Sequence, residues 1–245
     1  PDANSSFWNI GKVAFNESKA GAGITYTPWL KDLGLNDVYL LSAAGYVKVD
    51  DLSAISGSVR YFSLGNIQFT DNLGNDLSTF RPREFGVDFG YSRKLSDKVG
   101  VGVGLKFISS NLAGGTSVSG STYKTGTTVA GDLGFYYNST NDLGQGWTFG
   151  ATMTNLGGKI GYTDNATQRD YIPANLGLGT TYTSVFDEQN KVSFGLDINK
   201  LMVPTPPADP ATQAQIDAYR SKGVLGSWFS SFGDAPDGFG EELKE

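Results

Sequence analysis

The chain has 245 residues, of which 33 are glycine and none is cysteine or histidine. The lack of cysteine and histidine excludes disulfide scaffolds, zinc fingers, thiol nucleophiles, Ser-His-Asp hydrolases and histidine-ligated metal sites. The 19 basic and 25 acidic residues give a net charge of −6, and an acidic chain without a basic patch argues against nucleic acid as a partner.

Nine segments are predicted to be β-strands, because apolar and polar residues alternate along most of them. In chain order they are 20–29, 38–49, 53–64, 84–92, 98–107, 129–137, 147–154, 174–183 and 191–199. Most are about ten residues long, the length that a tilted membrane-crossing strand needs, whereas the mean globular strand has about 5–6 residues. The longest apolar run, 38–47, is too short for a spanning helix of about 20 residues.

The connections between the predicted strands alternate in length. Short turns are expected at 50–52, 96–97, 139–145 and 185–190, with longer links between them. Outer-membrane barrels have this pattern of short periplasmic turns and longer extracellular loops. The sequence therefore predicts an all-β, antiparallel transmembrane β-barrel. We expect residues 1–18 to form a plug-like N-terminal segment, 19–200 the barrel strands and 201–240 a long extracellular loop.

The polar side of the strands carries glycine, serine and threonine with a few charges. Those charges are Arg60, Asp88, Lys106, Asp132 and Asp197. In a membrane barrel this face lines the lumen, where opposite charges can pair. Aromatic residues toward the strand ends predict two interfacial girdles. They are Tyr26, Trp29, Tyr46, Phe69, Tyr91, Tyr123, Tyr136, Tyr137, Trp147, Tyr162 and Tyr182.

The last long segment differs in composition from the strands. Residues 201–210 contain four prolines, which favour extended backbone. A helix is predicted over 209–222, with Asp209 as N-cap, Pro210 in the first turn and Gly223 as the stop. Apolar side chains here either fold back on the barrel or bind a partner. The candidate partner-binding residues are Met202, Pro204, Ile216, Tyr219, Trp228, Phe229 and Phe232.

No pattern in the chain predicts catalysis, a cofactor or a metal. Asp50 and Asp51 occupy a tight turn, where acidic residues are favoured for their backbone geometry. The segment 71–76 lacks the ligand spacing of a calcium loop, so we expect a plain hairpin tip there. Gly102 and Gly104 lie inside an alternating strand, whereas a dinucleotide loop requires a following helix. We therefore expect a non-enzymatic protein.

Nine is an odd number of strands, whereas single-chain bacterial barrels have an even number. An open sheet edge is not tolerated in lipid, because its amides have no water to bind. We expect the protein to continue past Glu245 and to supply about five more strands.

Two sets of segments resemble known proteins. Residues 1–15 resemble the segment before the first strand of FadL-type barrels, although residues 9–11 read Asn-Ile-Gly instead of Asn-Pro-Ala. The rest of the chain is similar to the PorV family, the FadL-family subunits of the type IX secretion system of Bacteroidetes. The segments that carry this similarity are 26–30, 60–65, 84–85, 91–95, 109–112, 154–160, 173–179 and 239–245.

The resemblance implies a 14-stranded barrel in the bacterial outer membrane, in contact with membrane lipid. It implies association with the very large translocon barrel SprA, also called Sov, whose lateral opening the subunit covers. It also implies that secreted cargo with a C-terminal signal domain is received and passed to the surface attachment complex.

Two other functions stay open at this point. A FadL-like transporter of hydrophobic solutes would have an apolar pocket and a movable N-terminal plug. The polar, glycine-rich face argues against it, since an apolar ligand needs an apolar lining. A soluble β-sandwich adhesin would be soluble without detergent.

Overall fold

The computed structural model describes residues 1–70, 73–118, 121–165 and 168–234. The helices are α1 (Ser5–Trp8), α2 (Gln213–Ser221) and α3 (Val224–Ser230), with 3₁₀ turns at Ile10–Phe15 and Lys31–Leu33. The strands are β1 (Ala20–Pro28), β2 (Val38–Lys48), β3 (Ser53–Leu64), β4 (Ile67–Thr70), β5 (Asp76–Phe80), β6 (Arg83–Lys94), β7 (Val99–Asn111), β8 (Ser117–Val118), β9 (Ser121–Thr122), β10 (Gly126–Asn138), β11 (Gly146–Gly157), β12 (Ile160–Gly161), β13 (Arg169–Asp170), β14 (Asn175–Val185) and β15 (Lys191–Leu201).

Nine long strands form one antiparallel sheet in the order β1-β2-β3-β6-β7-β10-β11-β14-β15. The predictions of an all-β fold and of nine antiparallel strands are confirmed. Several strands extend beyond their predicted ends, since β7 runs to Asn111 and β10 begins at Gly126. Within the described residues, β1 and β15 each pair with a single strand.

Three short hairpins lie inside the long connections, and their strands were not predicted. They pair β4 with β5, β8 with β9, and β12 with β13. Strands of two to five residues are too short to show a period of two. The predicted hairpin tip at 71–76 lies partly outside the described residues. Residues 235–245, which carry the end of the predicted loop and the last segment of the resemblance, also lie outside them.

The connections separate by length between the two ends of the sheet. The short ones, 49–52, 95–98, 139–145 and 186–190, share what we call the turn end. The long ones, 29–37, 65–82, 112–125 and 158–174, share the opposite loop end, from which 202–234 also leaves. In the turn 186–190, the Asp187 carboxylate accepts hydrogen bonds from the Asn190 side chain and the Gln189 backbone, which lowers the pKa of Asp187.

The N-terminal segment packs on the polar face of the sheet. Ile10 and Val13 are buried together with Tyr46 and Ala54. The Asn9 side chain donates a hydrogen bond of 2.8 Å to the Phe135 carbonyl, and the segment is therefore held by both apolar and polar contacts.

Glycines make this close approach possible. A Cβ on Gly102 would lie 2.7 Å from the carbonyl carbon of Ile10, and a Cβ on Gly134 would lie 2.7 Å from the Gly11 nitrogen. Both distances are shorter than any real contact of a Cβ atom, so the backbone of the segment rests where other residues would place side chains.

The helix in the last segment begins later than predicted. Thr212, rather than Asp209, caps α2, and Thr212 and Gln215 form a reciprocal capping box. Gly223 has a φ of −68° and precedes α3, a helix that was not predicted, so Gly223 does not act as a left-handed stop. No helix in the described part of the chain is long and apolar enough to cross a membrane.

Candidate functional site

The outward side of the sheet, which we call the apolar face, exposes large hydrophobic side chains. Leu105, in the middle of β7, is 74% exposed. Residues on other strands behave in the same way. They include Ile24, Leu41, Val59, Phe89, Val129, Leu178 and Leu196. An exposed apolar surface that extends over nine strands indicates contact with a membrane or another protein.

Aromatic clusters bound the apolar face at both ends. At the loop end, the Tyr39 ring lies 5.4 Å from Tyr26 and 6.1 Å from Tyr61. At the turn end, Trp147 lies 4.9 Å from Tyr182 and 6.0 Å from Phe149. Rings at these levels are typical of the two interfaces of a membrane barrel.

Two aromatics that we assigned to the girdles point to the polar face instead. Tyr46 is buried against the N-terminal segment, and Tyr136 makes an edge-to-face contact with Phe15 at 5.2 Å. Both residues lie near strand ends, but their position in the alternation places them on the glycine-rich side. The period of the strand, rather than nearness to its end, decides which face a ring occupies.

Four of the five predicted charges on the polar face lie together. Lys106 is 8% exposed, and its ammonium lies 3.0 Å from Asp132 and 3.5 Å from Asp88. Arg60 lies 3.7 Å from Asp88. We call Arg60, Asp88, Lys106 and Asp132 the ion network. The antiparallel register explains the cluster. Asp88 is directly opposite Lys106. On the other side, Lys106 is opposite Ala130, and Asp132 is the next residue of that strand on the same face.

Asn155 completes the ion network but was not predicted. Its side-chain oxygen accepts a 2.7 Å hydrogen bond from Lys106, and its backbone N–H donates to Asp132 at 2.7 Å. Asn155 has a φ of 57° and follows a register shift opposite Asp132. Its side-chain amide also donates to the Pro173 carbonyl, which ties the network to the base of a loop-end connection.

Asp197 lies apart from the ion network. It lines a cavity of about 390 Å³ between the N-terminal segment and strands β11, β14 and β15. Lys12, Thr148 and Asn199 also line it. Among the residues that the structure describes, no cation lies within ion-pair distance of Asp197. The lining is mixed, because Trp8, Phe149 and Leu178 lie beside these polar groups.

The end of α2 is held by residues of the connection 158–174, an arrangement that we call the α2 clamp. The Lys159 ammonium donates to the carbonyls of Arg220 and Lys222 at 2.5 and 2.8 Å. The Tyr171 hydroxyl donates to the Lys222 carbonyl at 2.9 Å, and Asp170 pairs with Arg220 at 3.3 Å. A cation at a helix C-terminus is favourable for both hydrogen bonding and the helix dipole.

Tyr219 of α2 also belongs to the clamp, because its ring contacts that of Tyr171. The Tyr171 and Tyr219 rings are 5.4 Å apart in an edge-to-face contact, and Lys159 lies over the Tyr171 ring at 4.1 Å. Burial raises the pKa of Tyr219. Tyr219 therefore supports the clamp in addition to being a candidate partner-binding residue.

The apolar ridge, as we define it, is Leu225, Phe229 and Phe232, all three of which are exposed. Leu225 and Phe229 are four residues apart on one face of helix α3, and Phe232 lies two residues beyond the end of the helix at Ser230. Phe229 is 77% exposed. Trp228 and Ile216 are half-buried.

Met202 and Pro204, which we also selected as partner-binding residues, are buried in the structure. Met202 is 2% exposed, and its N–H donates to the Ala174 carbonyl. Met202 and Pro204 pack the start of the segment 202–234 against the sheet and do not lie on the surface. The reason is that the segment continues the antiparallel pairing for one residue beyond β15.

In the described ranges, no group of three or more acidic residues is placed to hold a metal ion. No curated protein matches the chain. The family model described as "Type IX secretion system protein PorV" matches residues 1–208. That match covers most of the 245 residues and includes all nine long strands together with the N-terminal segment. The chain therefore belongs to the PorV family of type IX secretion system proteins.

Proposed function

We propose that the protein is a non-enzymatic outer-membrane subunit of the type IX secretion system that works by binding alone. The apolar face and its two aromatic clusters support a sheet that crosses a lipid bilayer as part of a β-barrel. Within the described residues, β1 and β15 each pair with one strand, and in lipid the backbone amides on the other side of both strands have to be paired as well. The polar face then lines the lumen, with the N-terminal segment inside it.

The apolar ridge on α3 is the observation that carries the binding function. Leu225 and Phe229 are exposed on one face of α3 and Phe232 is exposed just beyond its end, and the α2 clamp fixes the neighbouring helix to the rest of the loop end. A preorganised apolar surface loses little conformational entropy on binding. The ridge therefore follows directly on a helix that is fixed to the loop end, outside the membrane.

Membership of the PorV family supports partners within the type IX secretion machinery. We propose that the loop end contacts the SprA (Sov) translocon barrel and covers its lateral opening. The same end receives secreted cargo that carries a C-terminal signal domain and passes it to the surface attachment complex. The α3 ridge fits such partners because helices commonly bind by laying an apolar face into a groove.

The test is co-purification of the tagged full-length protein in mild detergent, followed by mass spectrometry. For the wild type, we expect recovery of a very large barrel protein or of secreted proteins that share a C-terminal domain. Phe229→Ser combined with Leu225→Ser is expected to reduce that recovery at least tenfold, because hot-spot truncations each cost about 2 kcal/mol or more.

Leu143→Ser is the matched control. Leu143 is 75% exposed, as exposed as the ridge, but it lies in the turn 139–145 at the opposite end of the sheet. Its substitution is expected to leave recovery unchanged. Equal recovery from the ridge variant and the wild type would contradict the assignment of the ridge, and the absence of any secretion component would contradict the proposed function.

A further inference from the structure

The cavity beside the N-terminal segment has the size of a small-molecule site. Its volume is about 390 Å³, and such sites usually measure about 300–1,000 Å³ and hold a few convergent polar groups. The N-terminal segment packs closely on the glycines of β7 and β10, whereas toward β11, β14 and β15 it leaves this space open. The side chains around the space decide which ligand fits it.

Two glycines of β14 form the floor of the cavity, and two polar residues of β15 lie opposite them. The antiparallel register pairs Gly179 with Asp197 and Gly177 with Asn199. A Cβ on Gly179 would overlap the Asp197 carboxylate, and a Cβ on Gly177 would lie 3.1 Å from the Asn199 side-chain oxygen. The glycines therefore leave room for both polar side chains to lean over β14 into the cavity.

These polar side chains keep hydrogen-bonding capacity for a ligand. Asp197 forms no hydrogen bond or ion pair with the residues that the structure describes. The Asn175 side-chain amide donates to the Asn199 side-chain oxygen at 3.0 Å, which leaves the NH₂ group of Asn199 as a donor. A carboxylate that accepts and an amide that donates, on alternate residues of one strand, together match hydroxyl groups, which do both.

Trp8 provides the wall of the cavity on the side of the N-terminal segment. Its side chain is 79% exposed, and no ring or cation among the described residues stacks on it. The adjacent Asn9 is fixed, because its side-chain amide donates to the Phe135 carbonyl at 2.8 Å and its side-chain oxygen accepts from the Gly11 N–H at 2.9 Å. An uncovered indole at a fixed point beside polar groups offers a stacking surface.

The charges around the cavity cancel. Lys12 and Asp197 are the two charged residues among the described residues that line it. The Lys12 ammonium lies 5.7 Å from the centre of the Tyr136 ring, within cation–π range. A neutral ligand fits this balance, because a net charge on the ligand would lack a counter-charge.

We propose that this cavity, on the lumen side of the barrel, binds a free mono- or disaccharide. A pyranose is neutral, has an apolar face that stacks on the Trp8 indole, and carries hydroxyls that donate to Asp197 and accept from Asn199. The proposal goes beyond the secretion partners and does not involve the apolar ridge. Recovery of secretion components and sugar binding can therefore fail independently.

The test is a fluorescence titration of the full-length protein in mild detergent. The variant keeps Trp8 alone and carries Trp29→Phe, Trp147→Phe and Trp228→Phe. The probes are glucose, N-acetylglucosamine and maltose, with choline as a cationic comparison. We expect a saturable change of Trp8 emission with at least one sugar and no change with choline. Saturation by choline, or by none of the three sugars, would overturn the proposal.

Asp197→Asn in the same background is expected to weaken sugar binding about tenfold or more, because it removes hydrogen bonds to a charged acceptor. Asp51→Asn is the matched control. It makes the same chemical change at an exposed position in the turn 49–52 and should leave the affinity unchanged. Equal affinities of the two variants would overturn the site.

Calorimetry gives a readout that does not depend on fluorescence. Trp8→Leu in the otherwise wild-type protein is expected to weaken sugar binding about tenfold, because the stacking surface is lost. Unchanged binding would overturn the role of Trp8. Acrylamide should quench Trp8 in the free protein and less in the sugar complex, and a Trp8 that acrylamide does not reach would mean that the protein itself fills the cavity, which would also overturn the proposal.

Discussion

Lys106 is the residue on which the ion network depends. It is nearly buried and contacts two carboxylates and an amide from three other strands. Without its charge, Asp132 would retain no cation within ion-pair distance among the described residues, and Asp88 would keep only Arg60 at 3.7 Å. Lys106→Met is therefore expected to lower the free energy of unfolding by about 3 kcal/mol, measured by urea titration in lipid vesicles.

The double variant Lys106→Met with Asp132→Asn separates charge from packing. Removal of one carboxylate along with the ammonium should recover part of the loss, because the coupled pair is non-additive. If the double variant is destabilised by the sum of the two single changes, the ion network contributes no coupling energy and the effect of Lys106 is one of packing.

The residues of the ion network could be predicted to share a face, but not all of its contacts could. Alternation places Asp88 and Lys106 on the polar side, and the register sets them opposite each other. Asn155 depends on a register shift and a left-handed φ, which follow from tertiary packing and leave no periodic signal. Asp197 is also on the polar face, but it lies on β15, away from the ion network. The period of a strand predicts the face of a charge, whereas the order of the strands decides which charges are neighbours.

At the scale of elements, the docking of the N-terminal segment depends on the glycines of β7 and β10. Gly102→Ala places a Cβ against the backbone of Ile10, which a rotamer change does not relieve. The segment has to move, at a cost of about 1–3 kcal/mol. We expect the rate of trypsin cleavage after Lys12 to rise roughly tenfold, because proteolysis follows the population of the open form.

Gly86→Ala is the control for this prediction. Gly86 also lies on the polar face, but the nearest atom to a Cβ there is the Phe107 carbonyl oxygen at 3.7 Å, an ordinary contact. Cleavage after Lys12 should match the wild type in this variant. Equal protection of the Gly102 and Gly86 variants would mean that the segment is not held by the close approach.

The elements differ in how far their sequences predict them. The long strands were predicted because a period of two persists over about ten residues. The predicted start of helix α2 is too early, because Asp209 and Pro210 resemble a helix start. The capping box that actually begins the helix is formed by Thr212, three residues later, and Gln215. Helix α3 has seven residues and no capping side chain, so its ends carry no local signal. The α2 clamp joins residues about 50 to 63 positions apart, which no local pattern reveals.

At the scale of the whole molecule, two separations coincide. Apolar and polar side chains lie on opposite faces, and short and long connections lie at opposite ends, with the apolar ridge at the loop end. A soluble sheet has no reason to combine the two. A barrel held at a fixed height in a bilayer combines them, because lipid selects the face and the two aqueous compartments select the ends.

This orientation predicts a dependence on depth that a soluble protein does not have. Leu105 lies mid-strand on the apolar face, and Val192 lies on the same face beside the turn 186–190. The test compares Leu105→Lys with Val192→Lys. In lipid, lysine costs about 2–4 kcal/mol at the midplane and about 0–1 kcal/mol near an interface. Unfolding titrations of the two variants in vesicles should differ accordingly. In water, both exposed positions would accept lysine within about 0.5 kcal/mol, so equal and small costs would contradict a membrane-spanning sheet.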